Sequence, residues 1–187
     1  MKIMPLIIGI CNTELGRPMS TTDTSIDREE DDRITRRATF AADVAARTGI
    51  DETMIHSVVH GFYDRVRADP ILAPVFEARI TDWTPHLARM CAFWSSVVLM
   101  TGRYHGRPMQ AHAPLPVDAQ HFDRWLALFE ATAQDLCPPA AAALFIEKAR
   151  MIAHSLELGI ATNRGLMLAP GARLASLQID GRVNEDG

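Results

Sequence analysis

One histidine lies in a stretch where prolines restrict the backbone. His112 belongs to residues 101–120, TGRYHGRPMQAHAPLPVDAQ. Pro108 can begin a helix and Pro114 forces it to end, so the chain around His112 can form little more than one turn. Connections between helices of a bundle usually take about 2–8 residues, and a much longer one in a compact domain indicates function. His112 is therefore the first candidate for chemistry, with a surface loop histidine as the alternative.

Three further polar side chains lie at the edges of apolar helical faces. His86 precedes Met90 by four residues, Tyr63 follows Phe62, and Trp125 lies on the inward face of another predicted helix. A histidine on a constrained turn, opposite hydrogen-bonding side chains in an apolar pocket, is the arrangement that a haem protein requires. The alternatives are a core tryptophan at Trp125 and a rim tyrosine at Tyr63.

The elements that must position these residues are helices. Asp51 and Asp118 are predicted N-caps, Pro70 and Pro74 break the chain around a short piece, and Pro138 and Pro139 suit the first turn of the last long helix. No stretch alternates convincingly, so we predict an all-α fold without strands. The predicted inward positions are Ile55, Val58, Val59, Phe62 and Val66 on the first helix, Trp83, Leu87, Met90, Trp94, Val97 and Val98 on the second, Phe122, Trp125, Leu126, Phe129 and Leu136 on the third, and Leu144, Phe145, Met151, Ile152, Ser155 and Leu158 on the fourth.

The two ends differ from this helical part. Residues 1–36 begin with a short apolar run, continue as a polar stretch with the acidic run DREEDD, and show no sustained apolar period, so we predict a mobile arm. Met19-Ser20-Thr21 is also typical of a translation start. Residues 37–160 are predicted to be the folded domain. Residues 161–187 are glycine-rich and are predicted to be a loosely packed tail with one short helix around Arg173–Leu177.

Composition excludes several classes of protein. The net charge of −4 disfavours nucleic-acid binding, and no apolar run reaches the roughly 18 residues of a membrane span. Three cysteines without C-x-x-C spacing indicate a reducing compartment, so a cytoplasmic location is expected. The absence of C-x-x-C-H argues against covalently attached haem. His56 and His60 are interpreted as part of a solvated face.

From Ala42 to Ile160 the chain resembles the group III truncated haemoglobins, bacterial globins with a two-over-two helical sandwich. The motifs that carry the resemblance are GFYDRVRADPILAPVF (61–76), W-x-x-H with M-x-x-FW (83–94), GRYHGRPMQAH (102–112) and HFDRWLALFE (121–130). The resemblance implies haem b with His112 as the iron ligand through Nε2. Its Nδ1 is expected to donate a hydrogen bond to a carbonyl near Pro108 or Met109.

The resemblance also implies roles around the haem. Tyr63, His86 and Trp125 match the distal residues, where His86 binds iron, gates the pocket or points outward, gating being favoured. Arg89 is expected to pair with a propionate, with Arg107 and Tyr104 as weaker candidates. Arg103 and Arg124 are interpreted as solvated surface groups. The predicted apolar walls are Phe76, Met90, Phe93, Trp94, Met109 and Phe122.

Two functions follow as alternatives. The first is binding of O2 or NO, with CO as a further ligand, and redox chemistry such as NO dioxygenation, nitrite reduction or a peroxidase-like reaction. Such turnover needs a separate reductase, because the chain has no room for a flavin domain. The second is a non-enzymatic haem-based gas sensor or oxygen-binding protein that acts through partner contacts. A helical domain without cofactor is the third interpretation.

Overall fold

The computed structural model describes residues 23–175, with the backbone alone at 23–27 and 30. This range contains only helices and no strand, as predicted. The chain divides into two compact units between Thr35 and Arg36. The helices are α1 (Asp23–Thr48), α2 (Glu52–Ala68), α3 (Ala73–Glu77), α4 (Trp83–Val98), α5 (Pro108–His112), α6 (Ala119–Leu136) and α7 (Pro139–Asn163).

Aspartate side chains begin the three helices that carry most of the site. The Asp51 carboxylate accepts the Met54 N–H at the start of α2, at 2.7 Å. Asp82 and Asp118 do the same for α4 and α6. Each satisfies a backbone donor that has no partner inside the helix. The predicted caps at Asp51 and Asp118 are confirmed.

Prolines set the short elements, as the sequence predicts. Pro108 opens the five-residue helix α5, which ends at His112. Pro74 lies in the first turn of α3 and Pro139 in the first turn of α7. A proline at these positions costs nothing, because its missing N–H would have no helical partner there. The His112 turn is therefore short and stiff.

The main core lies between the pairs α2/α4 and α6/α7. Helix α2 packs against α4 and α6, and α7 packs against α6 and α4. The predicted stripe of α2 is confirmed, because each of its five residues is at most 1% exposed. Phe129 of α6 stacks between two indoles, with its centroid 4.6 Å from Trp94 and 5.3 Å from Trp125. Helix α6 therefore ties the core directly to one of the predicted site residues.

The inward face predicted for α7 is wrong at several positions. Met151, Ser155 and Leu158 are exposed. Phe145 is buried as predicted, but most of the buried face consists of small residues: Ala141, Ala142, Ala149, Ala153 and Ala161. Alanines let the helices approach closely, so the size of the apolar side chains does not indicate which face is buried. Leu136 at the end of α6 is also exposed.

The N-terminal end is helical rather than irregular from Asp23 onward, so the predicted boundary at 36 falls inside α1. Its side chains from 31 to 40 are all exposed, which explains why no apolar stripe marks the helix. Local contacts support it instead, including the ion pair between Asp43 and Arg47 at 3.0 Å. Residues 1–22, with the alternative start at Met19, lie outside the described range, and mobility of the arm stays a prediction.

Most described residues of the C-terminal segment are exposed, as a loosely packed tail would be, but the segment is anchored at a few points. Helix α7 continues to Asn163, and Leu174 is completely buried. Residues 173–175 are not helical, so the predicted short helix does not begin there. Residues 176–187 lie outside the described range. Within residues 23–175, no helix has the length and apolar character to cross a membrane.

Candidate haem site

His112 ends the short helix α5, and its ring is fixed by the backbone. The Nδ1 atom lies 2.7 Å from the carbonyl oxygen of Pro108, so Nδ1 carries the proton and donates it. The expected hydrogen bond is therefore present. This tautomer leaves the lone pair of Nε2 available, and the acceptor on the other nitrogen raises its basicity. The side chain fits a neutral metal ligand held in one orientation.

A buried tyrosine forms the centre of an aromatic cluster between α2, α3 and α4. The Tyr63 ring meets Phe76 edge-on at 5.9 Å and Trp83 at 5.8 Å. Tyr63 is only 6% exposed, and burial raises the pKa of its phenol well above the ordinary value, with a smaller contribution from Cys91. Tyr63 therefore stays neutral and retains its hydroxyl proton as a hydrogen-bond donor.

His86 lies against this cluster with a buried nitrogen that no described residue satisfies. Its ring meets Tyr63 edge-on at 4.9 Å, and its Nε2 has no hydrogen-bond partner. Burial lowers the pKa of His86, and electrostatic interactions with Arg89 and, to a smaller extent, with His112 lower it further. The influence of His112 on His86 indicates that the two imidazoles lie within electrostatic range of each other. An unsatisfied buried polar atom requires an explanation, and a ligand at this site supplies one.

The donor set fits a haem. His112 offers a free Nε2, His86 a buried and unsatisfied Nε2, and Tyr63 a neutral hydroxyl. Imidazole is the commonest protein ligand of haem iron in globins, and polar donors in an apolar pocket decide how a bound gas behaves. By contrast, the described range holds no group of three or more histidine, cysteine or carboxylate side chains that could bind a bare metal ion.

Trp125 belongs to the same aromatic network through Phe62. The Phe62 ring lies 5.0 Å from Tyr63 and 5.2 Å from Trp125, in edge-on contact with both. Trp125 is partly buried and stacks on Phe129 within 6° of parallel. The two predicted donors therefore project from α2 and α6 and share one packing partner.

The predicted apolar walls separate into two groups. Phe76, Met90 and Phe93 are partly buried residues packed against the main core. The other three make packing contacts elsewhere. Trp94 is deep in the core against Phe129, Phe122 joins a second cluster with Leu174, and Met109 presses on Gly159 of α7. A haem contact of these residues stays a prediction.

The predicted propionate partners lie at the surface. Arg89 and Arg107 are exposed, and Arg89 is close enough to influence His86. Tyr104 is partly buried and meets Phe93 edge-on at 5.1 Å, while its N–H donates to the Ser96 hydroxyl at 2.9 Å. The exposed guanidinium groups of Arg89 and Arg107 are therefore accessible to an anionic group such as a haem propionate.

Arg124 is exposed, as the sequence suggested, but it is also paired with a buried carboxylate. Its Nε donates to Asp69 at 2.5 Å, and the Asp69 side chain is 1% exposed. Arg103 is exposed but also paired, with Glu52 at 3.0 Å. The sequence interpretation overlooked Asp69, whose position at the end of a helix and before Pro70 is typical of a side chain that caps a turn. The interpretation also gave Trp83 no role at the site.

His56 and His60 lie off the site, as predicted. Their rings stack 3.9 Å apart on the outer part of α2, where His56 is exposed. One helical turn separates them, which explains the stacking without any ligand. The pair contributes nothing to the haem site.

Comparison with known proteins gives a consistent result. A family model described as bacterial-like globin matches residues 46–154. The group 3 truncated haemoglobin ctb of Campylobacter jejuni is 32% identical over 113 residues, which is 58% of this chain and 89% of that protein. The crystal structure of a group III truncated haemoglobin from Campylobacter jejuni superposes with a TM-score of 0.55 at 30% identity, covering 63% of this chain and 92% of the other.

More distant haemoglobins support the fold alone. The crystal structure of a haemoglobin from Chloroflexus aurantiacus has a TM-score of 0.51 at 24% identity and covers 60% of this chain. The matched family region includes α2 to α6 and most of α7. The chain therefore belongs to the bacterial-like globin family and to its truncated haemoglobins, with a two-over-two helical fold, haem b as its cofactor and small gas molecules as its ligands.

Proposed function

We propose that this protein binds dioxygen or nitric oxide at a haem whose iron is held by His112, and that it performs redox chemistry on the bound gas with electrons from a separate reductase. The proposal is carried by His112, whose Nε2 is free to bind iron, together with His86, whose buried Nε2 is unsatisfied among the described residues and whose ring meets neutral Tyr63. Haem supplies an iron that binds a diatomic gas and exchanges electrons.

On one side of the site, His112 holds the cofactor. Its hydrogen bond to the Pro108 carbonyl fixes the ring, so the His112 side chain loses little orientational entropy when it binds iron. Pro108 and Pro114 restrict the flanking backbone. The ligand position is therefore set before haem enters.

On the other side, Tyr63 and Trp125 donate hydrogen bonds to a gas that carries partial negative charge. One donor to a charged acceptor contributes about 1.5–3 kcal/mol, which corresponds to roughly 10–150-fold in affinity. Tyr63 suits this role because burial keeps it protonated. Several donors around one gas molecule favour activation or tight retention over simple storage.

His86 is the gate of the site in this proposal. Its buried Nε2 has no hydrogen-bond partner among the described residues. The ring would obtain a hydrogen bond by turning toward a bound ligand or toward solvent. The lowered pKa keeps it neutral near pH 7, which lets it donate or accept. Arg89, one turn further along α4 and exposed, is the proposed partner of a propionate.

The experiment that tests this function is turnover of nitric oxide. The purified protein, reduced by a flavin reductase in air, is expected to convert nitric oxide to nitrate over many cycles, and Tyr63→Phe is expected to slow that conversion. A single stoichiometric reaction without turnover, combined with a partner protein that binds only the gas-loaded form, would favour the sensor instead.

A further inference from the structure

The segment after α7, residues 164–175, is anchored to the loop that follows His112. Arg164 is the first residue beyond the helix, and its Nη2 donates to the carbonyl oxygens of Leu115 at 2.7 Å and Val117 at 3.0 Å. Its Nη1 is buried and has no hydrogen-bond partner within residues 23–175. A guanidinium gives up hydration at a cost, so the two carbonyl contacts indicate a built anchor rather than a surface arginine.

The loop held by Arg164 is directly connected to His112. The Leu115 N–H donates to the His112 carbonyl oxygen at 3.0 Å. Pro114 and Pro116 lie on both sides of Leu115 and have no backbone N–H, so this loop can form few backbone hydrogen bonds of its own. Arg164 therefore supplies hydrogen bonds that the loop's own sequence lacks.

A second anchor lies ten residues further along the same segment. Glu157 of α7 is 4% exposed, accepts Arg173 Nε with both carboxylate oxygens at 2.9 Å and accepts the Leu174 N–H at 2.8 Å. Arg173 also donates to Asp123 of α6 at 2.7 Å. A buried carboxylate is stable only when it is paired and hydrogen-bonded, and this segment provides both.

Leu174 closes the other end of the loop. It is completely buried in a cluster with Val117 and Phe122, and its carbonyl oxygen accepts the Ala119 N–H at 2.8 Å at the start of α6. The two anchors therefore hold the His112–α6 loop at Leu115, at Val117 and at Ala119. These contacts come from residues beyond the matched family region, which ends at residue 154.

We propose that residues 164–175 form a strap that keeps His112 in position by fixing the loop of residues 113–118, and that the strap determines how long the protein retains its haem. Arg164 is a positioning residue, because it acts through the loop and not on the cofactor. This inference rests on the proposed ligation by His112.

The test compares three full-length strap variants, Arg164→Ala, Glu157→Gln and Leu174→Ala, with the parent protein. The first readout is the rate of haem transfer to an excess of an apomyoglobin acceptor. We expect Arg164→Ala and Glu157→Gln to lose haem roughly tenfold faster, the effect of one lost hydrogen bond to a charged group. Leu174→Ala is expected to lose haem faster as well, because it truncates a completely buried side chain. Arg164→Lys keeps the cation and is expected to restore part of the retention.

A second readout follows the position of the loop. In the ferrous protein, the iron–histidine stretching frequency is expected to shift or broaden in Arg164→Ala. In the apoprotein, amide hydrogen exchange is expected to accelerate at Leu115 in Arg164→Ala and at Ala119 in Leu174→Ala. A residue that merely stabilised the fold would change the melting temperature without these local effects.

The control is Arg150→Ala, which removes an exposed arginine of α7 paired with Glu130 at 2.7 Å. It is expected to keep the parent rate of haem loss. If Leu174→Ala fails to fold, Arg164→Ala is the deciding variant, because it removes only the two side-chain hydrogen bonds to the loop carbonyls. Parent-like haem retention in folded Arg164→Ala, with His112→Ala depleted of haem, would overturn the strap. Parent-like retention in His112→Ala would instead reject the ligand assignment.

Discussion

The Tyr63 and His86 rings meet almost perpendicularly, with centroids 4.9 Å apart and planes at 89°. This contact joins α2 to α4 and brings a neutral phenol next to an imidazole with an unsatisfied buried nitrogen. Two hydrogen-bonding side chains, Tyr63 and His86, thus lie together in an otherwise aromatic cluster. The arrangement is suited to a small ligand that can form hydrogen bonds with both groups.

Replacement of the two donors is expected to release dioxygen faster. Tyr63→Phe and Trp125→Phe keep the aromatic ring and remove the donor, so each should raise the dioxygen off-rate by roughly tenfold or more. Carbon monoxide carries little charge, and its off-rate should change far less. Stopped-flow kinetics of both gases gives the comparison.

The double variant should release dioxygen more slowly than the product of the two single effects implies, since both donors share one acceptor. Parent-like dioxygen release in both single variants would show that these residues only pack.

The ion pair between buried Asp69 and exposed Arg124 is expected to stabilise the fold above acidic pH. Burial alone would raise the pKa of Asp69, but the hydrogen bonds from Arg124 and from the Leu72 and Ile71 N–H groups outweigh it and lower the pKa. A lowered carboxyl pKa gives stability that is complete above the unfolded value of about 3.9 and is lost as the pH falls through the folded value.

Asp69→Asn should therefore lower the free energy of unfolding at pH 7 by about 1.5–3 kcal/mol, with the difference disappearing in acid. Urea denaturation across pH provides the measurement. Asp135→Asn, which breaks the exposed pair with Arg65, is the matched control and should change stability by less than about 1 kcal/mol. Equal losses in the two variants would contradict the account.

Deletion of residues 1–35 is expected to leave haem binding and the melting temperature nearly unchanged. The side chains of α1 from 31 to 40 are exposed, and Val44 is the first buried residue after them. Removal of an exposed helical segment costs few apolar contacts. Calorimetry of the shortened protein checks this expectation, and a melting temperature lowered by many degrees would show that the segment packs on the globin.

Local signals made much of this fold predictable. The caps at Asp51 and Asp118 and the stop at Pro114 act on the nearest backbone groups, so the sequence alone indicates them. The α7 face escaped prediction because Ala149 and Ala153 bury little area although they lie at the centre of the packing.

Long-range contacts were beyond such signals. Arg124 meets Asp69 across 55 residues, and Leu174 fills a space that exists only after α6 and α7 have packed. Neither position has a periodicity that would mark it as buried. The candidate haem residues were easier to find because the proline-bounded turn and the aromatic faces are visible in the sequence.

The ligand assignment is tested most directly by the absorption spectrum of ferrous His112→Gly, recorded with and without imidazole. The account predicts a haem-poor protein or a spectrum without histidine coordination, and return of the parent spectrum when imidazole fills the vacated space. His86→Ala is predicted to keep the parent haem content. A parent-like ferrous spectrum in His112→Gly without imidazole, or loss of haem in His86→Ala alone, would contradict the assignment of His112 as the iron ligand.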